Sequence, residues 1–254
     1  LLVNAPMYVN DKETYSLETF DAYDYFYETN VERLEKEIEE GIAECIKVIK
    51  SSNTLPSEKM LDCSLFSWFV LGMHCLGISN YIARYLHREQ NIKFTDFYTG
   101  LYSYLINNDK SFPVWIDEYK KAHDNWYEYG YTTDSIGGIK SIGWQVIFSL
   151  MPIIQKADRV DDFIEHTANF VNSQYKVHSD LLDDYKNLTS LYVKQYGRYL
   201  KQPVSMSLKS DLLQSKNIVI EDRYEHFPES LDLHLNYIFY GRRRSWALNK
   251  VILK

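Results

Sequence analysis

Seven histidines and a surplus of carboxylates are the side chains of this 254-residue sequence with most scope for chemistry, and spacing decides what they can do. A zinc-protease helix needs two His four residues apart around a Glu, and no pair of His here has that spacing. Paired-iron sites in helix bundles need Glu-x-x-His on two helices. The residues three before the histidines are Leu71, Arg84, Lys120, Phe163, Tyr175, Arg223 and Leu231, so that pattern fails as well. Cys45, Cys63 and Cys75 form no Cys-x-x-Cys pair and fall among apolar residues, which predicts buried free thiols in a reducing compartment. The expectation is a protein without a metal site or a cofactor. Gly137-Gly138-Ile139-Lys140-Ser141 has the flavour of a phosphate loop, but that loop needs Gly directly before its Lys, and Ile139 stands there. The segment reads as a turn leading into a helix.

Asp161-Asp162-Phe163-Ile164-Glu165 resembles the magnesium-binding Asp-Asp-x-x-Asp/Glu motif of isoprenoid enzymes, where carboxylates on one helix face bridge Mg²⁺ to diphosphate. The second set of ligands is incomplete: Asn169 and Ser173 have its spacing, while Val177 replaces its Glu. Acids at a helix start, favoured by the helix dipole, account for the run. Arg159 and His166, seven residues apart and nearly in line on one helix, resemble the Arg-x4-6-His pair of HEPN ribonucleases, which are also all-helical. That resemblance implies a His acting on a 2′-hydroxyl and an Arg supporting a phosphate. It makes Arg159 and His166 the alternative catalytic pair, although three carboxylates lie between them and Val160 takes the place of a polar residue.

A different chemistry is written at the start of the chain. Tyr23, Tyr25 and Tyr27 are interleaved with Asp21, Asp24 and Glu28, and residues 32–44 add six more Glu. Tyrosine rings anchor an interface at low entropy cost, and carboxylates steer and pair with a basic partner. These six residues are therefore the candidate partner-binding set; the competing reading packs the rings on the body of the protein and leaves the acids wet. Arg242-Arg243-Arg244 is the opposite patch, either a solvated turn or an internal partner for acids.

The elements that must carry these residues read as helices. The stretch from 61 to 88 is uncharged between Asp62 and Arg84 and apolar on nearly every side, the mark of a central core helix. Ser64, Gly72, Cys75, Ser79 and Ala83 line one narrow band of it, along which a second helix is expected to pack. Ahead of it, Thr29 and Glu32 form a capping box, and Val31, Leu34, Ile38, Ile42, Cys45 and Ile49 recur every three or four residues. Further helices are predicted after Thr95, from Ser111, over about 139–151 with Pro152 following, from Asp158, and over 181–200. Asn217–Glu221 reads as a strand, whereas residues 231–239 satisfy both periods and are read as helix. The fold class expected is all-α: an antiparallel multi-helix bundle around the central helix at about 61–88, with a short β segment near the C-terminus. Its domains are an extended acidic, aromatic arm (1–28), a helical domain (29–203) and a C-terminal extension packed on that domain (204–254).

Composition narrows the function classes. A net charge of −7 disfavours nucleic acid as the main partner and permits a basic one. His74, Asn80 and two glycines interrupt the central stretch and no Lys/Arg cluster flanks it, so no membrane span is expected. No secretory signal is visible in the residues given. With 22 Tyr and an acidic, helical make-up, the chain is similar to bacterial immunity proteins over about residues 29–200, with Thr29-Asn30-Val31-Glu32 and the apolar 63–83 helix as landmarks. The resemblance implies a non-catalytic cytoplasmic protein that binds a cognate toxin with a basic surface and blocks it. The rival classes are the HEPN-like RNA-cleaving enzyme and a helical scaffold or regulatory protein.

Overall fold

In the computed structural model, the structure describes residues 18–23, 31–140, 150–195, 200–222 and 248–253. Helices dominate them: α1 (Val31–Glu39), α2 (Ser57–Val70), α3 (Asn80–Gln90), α4 (Phe94–Asn108), α5 (Phe112–Tyr129), α6 (Leu150–Lys156), α7 (Val160–Tyr175) and α8 (Ser179–Tyr192). The strands are β1 (Glu18–Tyr23), β2 (Cys45–Ser51), β3 (Ser135–Ile136), β4 (Ile139–Lys140), β5 (Val204–Ser207), β6 (Asn217–Glu221) and β7 (Lys250–Leu253). They form the antiparallel pairs β1-β2 and β3-β4 and a three-stranded sheet in the order β5-β6-β7. The all-α expectation is therefore wrong: the protein mixes helices with antiparallel sheet.

The chain divides into two compact units, the first formed by Leu1–Trp68 and Val114–Ser149, the second by Phe69–Pro113 and Leu150–Lys254. In the first, β1 and β2 pair along their whole length, with Tyr23 opposite Cys45 and Asp21 opposite Lys47. The helix expected through Ile49 stops at Glu39. Gly41 turns the chain with φ +71, and Cys-Ile-Lys-Val-Ile-Lys-Ser continues as strand. Its β-branched residues suit a pleated surface. The spacing of Ile42, Cys45 and Ile49 is one that both periods accommodate over so short a run. β1 ends on the turn after α5, where Tyr23 N–H donates to the Gly130 carbonyl at 2.9 Å. A Cβ on Gly130 would lie 2.2 Å from the Asp21 carbonyl oxygen, so no other residue allows this approach. The core of the unit is aromatic: Trp68 and Tyr119 are fully buried with ring centroids 5.1 Å apart, and the Tyr119 hydroxyl shares a 2.8 Å hydrogen bond with Ser64.

The second unit begins where the expected central helix breaks. The chain runs through α2, passes a π-helical turn at Leu71–Cys75, and resumes as α3 bent by 90°. Gly77 carries the bend. Its φ of +109 is open to glycine, and an added Cβ would meet Leu248 Cδ2 at 2.6 Å. The backbone groups freed by the break find partners, as buried ones must. Leu76 N–H donates to Leu71 O at 3.1 Å, Ser79 N–H to Met73 O at 2.8 Å, and the Tyr185 hydroxyl to Ile78 O at 3.0 Å. The small-residue band does receive a neighbour at Gly72, where Leu150 at the start of α6 sits 2.7 Å from an ideal Cβ. Among the described residues no single helix is long and apolar enough to cross a membrane, although this bent pair passes by length and composition.

α4, α7 and α8 pack side by side with their periodic faces inward: Phe97, Leu101 and Leu105; Phe163, Ile164 and Val171; Leu181, Tyr185 and Leu188. α8 stops at Tyr192, where Val193 bridges Leu248 and Asn249 N–H donates to Tyr192 O at 2.7 Å. The helix expected over 139–151 is absent as far as residue 140, where the β3-β4 hairpin turns through Gly137-Gly138. Pro152 lies inside α6, in the first turn, where its missing N–H costs nothing. Asn217–Glu221 is the strand it reads as. Residues 231–239 and Arg242-Arg243-Arg244 lie outside the described residues. Burial of the thiols is also corrected: Cys45 and Cys63 are exposed and Cys75 half-buried. Each lies on the outer side of its element, which apolar sequence neighbours do not reveal.

Candidate functional site

Of the six residues proposed to meet a partner, the structure places two. Asp21 lies on β1, where the register brings it opposite Lys47 and the two form an ion pair. That pairing raises the Lys47 pKa. Tyr23 is half-buried against Gly130, and burial pushes its phenol up. Asp24, Tyr25, Tyr27 and Glu28 lie outside the described residues.

The same unit continues the acidic character onto α1 and the turn behind it. Leu34 is the buried residue that fixes α1, while Glu32, Glu35, Glu39, Glu40 and Glu44 are exposed. Some are held locally: Arg33 meets Glu37 at 2.7 Å, Lys36 meets Glu40 at 3.7 Å, and the Tyr131 hydroxyl donates to Glu35 at 2.6 Å. Exposed i,i+4 pairs of this kind contribute at most about 0.5 kcal/mol each. At the end of α1 the chain folds back, with Ile42 and Ala43 N–H both donating to Glu37 O at 2.9 and 3.0 Å. On this turn Ile42 is 65% exposed, and its chain neighbours Glu39, Glu40 and Glu44 are exposed as well. The helical spacing of Ile42 with Leu34 and Ile38 predicts a place on the helix, but α1 ends at Glu39, and Gly41 directly before Ile42 is the signal of that end.

Arg159 and His166 do come together, on a third residue that spacing did not reveal. Asp109, just past the end of α4, has a completely buried carboxylate. Arg159 donates to it through both terminal nitrogens, at 3.1 and 2.7 Å, and His166 Nε2 lies 3.1 Å from Oδ2. Asp109 Oδ1 also accepts the N–H groups of Ser111 and Phe112 at 2.8 Å, which caps α5. Burial works against the charged carboxylate, but the Arg159 guanidinium and the two backbone donors outweigh it and hold the Asp109 pKa below its usual value. The remaining Arg159 nitrogen, Nε, donates to Asp162 at 3.0 Å. The planar fork that a phosphate would need is filled from within.

The carboxylates of the Asp-Asp-x-x-Glu run diverge to separate partners. Asp161 accepts from Gln195 at 2.8 Å, Asp162 takes Arg159, and Glu165 pairs with Lys186 at 2.9 Å. Among the described residues no three His, Cys, Asp or Glu side chains gather as metal ligands. At the glycine pair, Gly137 N–H donates to the Glu118 carboxylate at 2.7 Å, so the loop faces an anion already present in the fold. His123 is enclosed by Tyr119, Trp126 and Tyr127, the last ring 4.1 Å away, and burial drives its pKa down to about 4.

In the second unit, two adjoining cavities of about 410 and 430 Å³ open beside α3. The sequence carried their signal in the Arg84, His87 and Arg88 face of one helix, but not the distant segments that wall them. No protein-family model matches the chain, and a search of curated proteins finds no match.

Proposed function

We propose that the protein works by binding another protein, as a cytoplasmic immunity protein does when it neutralises a cognate bacterial toxin with a basic surface. The observation that supports this reading is Ile42, an aliphatic side chain 65% exposed on a tight turn among exposed carboxylates. An Ile left mostly in water contributes little to the fold, whereas seated in a partner's pocket it buries apolar area worth at most about 1.5–3 kcal/mol. The surrounding carboxylates would steer a cationic partner and pair with its rim. Asp21 and Tyr23 of β1 belong to the same unit and extend the surface that such a partner would meet. The RNA-cleaving alternative draws no support from the Arg159 geometry, because Asp109 and Asp162 occupy the guanidinium.

The test uses the full chain as bait in two forms, wild type and the combined variant Ile42→Ser, Glu39→Lys, Glu40→Lys. A lysate of the source cells is passed over both, and the bound proteins are quantified at low and high salt. The expected result is a basic protein held by the wild type, released by salt and depleted at least about tenfold on the variant. Its expression alone should arrest growth, and co-expression with the wild-type chain should restore it. Equal retention on both baits, or toxicity unchanged by the wild-type chain, overturns the reading.

A further inference from the structure

The two cavities of the second unit share Tyr81, Arg84 and Phe94 as walls, so they are two lobes of one groove. The groove has an unusual charge for a protein of net charge −7. Arg84, His87 and Arg88 line the first lobe, His74 and Arg84 the second, and no carboxylate lines either among the described residues. The two arginines differ in what they have left to give. Arg88 pairs with Glu89 and donates to the Asp211 carbonyl at 2.6 Å. Arg84 is exposed, and no hydrogen bond or ion pair holds it among the described residues. A free guanidinium in a concave site without competing carboxylates is a receptor for an anion.

Two further features specify what carries the anion. Phe94 is 37% exposed, its ring backed by His87 at 4.6 Å and His74 at 5.7 Å. It offers a supported aromatic surface inside the groove, with Tyr81 as a second ring in both lobes. Asn80, which lines the second lobe, donates its amide N–H to the His74 carbonyl at 3.1 Å, and its buried Oδ1 has no partner. An orphan buried acceptor costs free energy until a donor reaches it. The neighbouring His74 shares its Nδ1 with the Tyr98 hydroxyl at 2.6 Å.

We infer that this groove binds a free mononucleotide. Its phosphate pairs with Arg84, and its base lies against Phe94 and Tyr81. The lobe volumes are those of ordinary small-ligand sites. A nucleoside lacks the anion, inorganic phosphate lacks the ring, and a nucleotide joins both.

Calorimetric titration of the full chain decides it, with adenosine 5′-monophosphate and guanosine 5′-monophosphate as probes. Adenosine, inorganic phosphate and a short single-stranded oligonucleotide are the comparison arms. At least one mononucleotide is expected to bind, and about tenfold or more tighter than adenosine or phosphate alone. Arg84→Ala should weaken it by about tenfold or more, since a charge-assisted contact is lost from an exposed residue that the fold does not use. Asn80→Asp should also weaken binding, because it places a carboxylate in the groove. No mononucleotide binding at about 5 mM, or an affinity unchanged in Arg84→Ala, overturns the inference. Phosphate binding as tightly as the nucleotides removes the ring-recognition part and with it the nucleotide assignment. An oligonucleotide that binds tighter and is equally weakened by Arg84→Ala replaces the free nucleotide with nucleic acid and overturns the proposal as stated.

Discussion

Arg159, at the N-cap of α7, and Arg84, within α3, belong to the same unit, yet their surroundings are opposite. Arg159 is largely buried and spends its guanidinium on Asp109 and Asp162. Arg84 is exposed, and no hydrogen bond or ion pair holds it among the described residues. The difference follows from the cost of desolvation. A charge taken out of water must be paired, whereas one at the surface can wait for a ligand. Arg159 and His166 converge on the buried Asp109, whereas Arg84 keeps its guanidinium open to the groove that it lines.

The sharpest way to break that comparison is to remove the tie. Asp109→Ala leaves Arg159 without its partner and removes the acceptor that caps α5. Losing one member of a buried pair costs about 3–5 kcal/mol. The fold should lose that much in a urea titration, and Asp109→Asn, which keeps a capping oxygen but not the charge, should lose clearly less. A loss below about 1 kcal/mol for the alanine variant would mean that Arg159 is as independent as Arg84.

His123 extends the comparison to a cation that burial refuses outright. Its ring lies among Tyr119, Trp126 and Tyr127 with Nδ1 unpartnered, and its pKa falls to about 4 because the charged form is desolvated. An unfolded His takes up its proton near pH 6.5. Between these values the unfolded chain binds more protons than the folded one, so stability falls as pH falls through that window. The loss amounts to about 3 kcal/mol by pH 4. His74, lowered in the same direction by burial and then by Arg84, adds to it. Asp109, held below its usual value, responds only at still lower pH. Melts from pH 7 to pH 4.5 should show the decline, and His123→Phe should flatten it. A wild-type stability that stays level across the window would show that water reaches the ring.

How much of this was legible follows from which residues reported local facts and which reported distant ones. The faces of α4, α7 and α8 were readable because Phe97, Leu101 and Leu105, and their counterparts, repeat at the helical period and are buried by it. β2 was not, because Ile42, Cys45 and Ile49 continue the rhythm of α1 by coincidence, and only Gly41 marks the change. The bend at Gly77 was hidden in the same way: an apolar run reads straight, and what makes the glycine necessary is Leu248, far along the chain. Asp109 reads locally as the end of α4. Its second role depends on Arg159, fifty residues on, and no periodicity encodes that. The groove is the extreme case, since Arg84 and Phe94 are near in sequence but residues 212–214, 251 and 253 complete its wall.

Arg84→Ala gives the smallest effect and sharpens the comparison most. If Arg84 takes no part in holding the fold, truncating it should change the free energy of unfolding by less than about 0.5 kcal/mol, the range of ordinary surface substitutions. Its loss should even relieve His74 slightly, because the guanidinium opposes a second positive charge nearby, so the His74 pKa should rise toward its ordinary value. Both changes can be read on one sample, the first by urea titration and the second by following the imidazole protons in NMR against pH. A destabilisation approaching that of Asp109→Ala would place Arg84 in a structural tie of its own and erase the contrast with Arg159. A near-silent substitution with a raised His74 pKa would instead show a cation kept at the groove at an electrostatic cost to its neighbour, which the fold tolerates without return until an anion arrives.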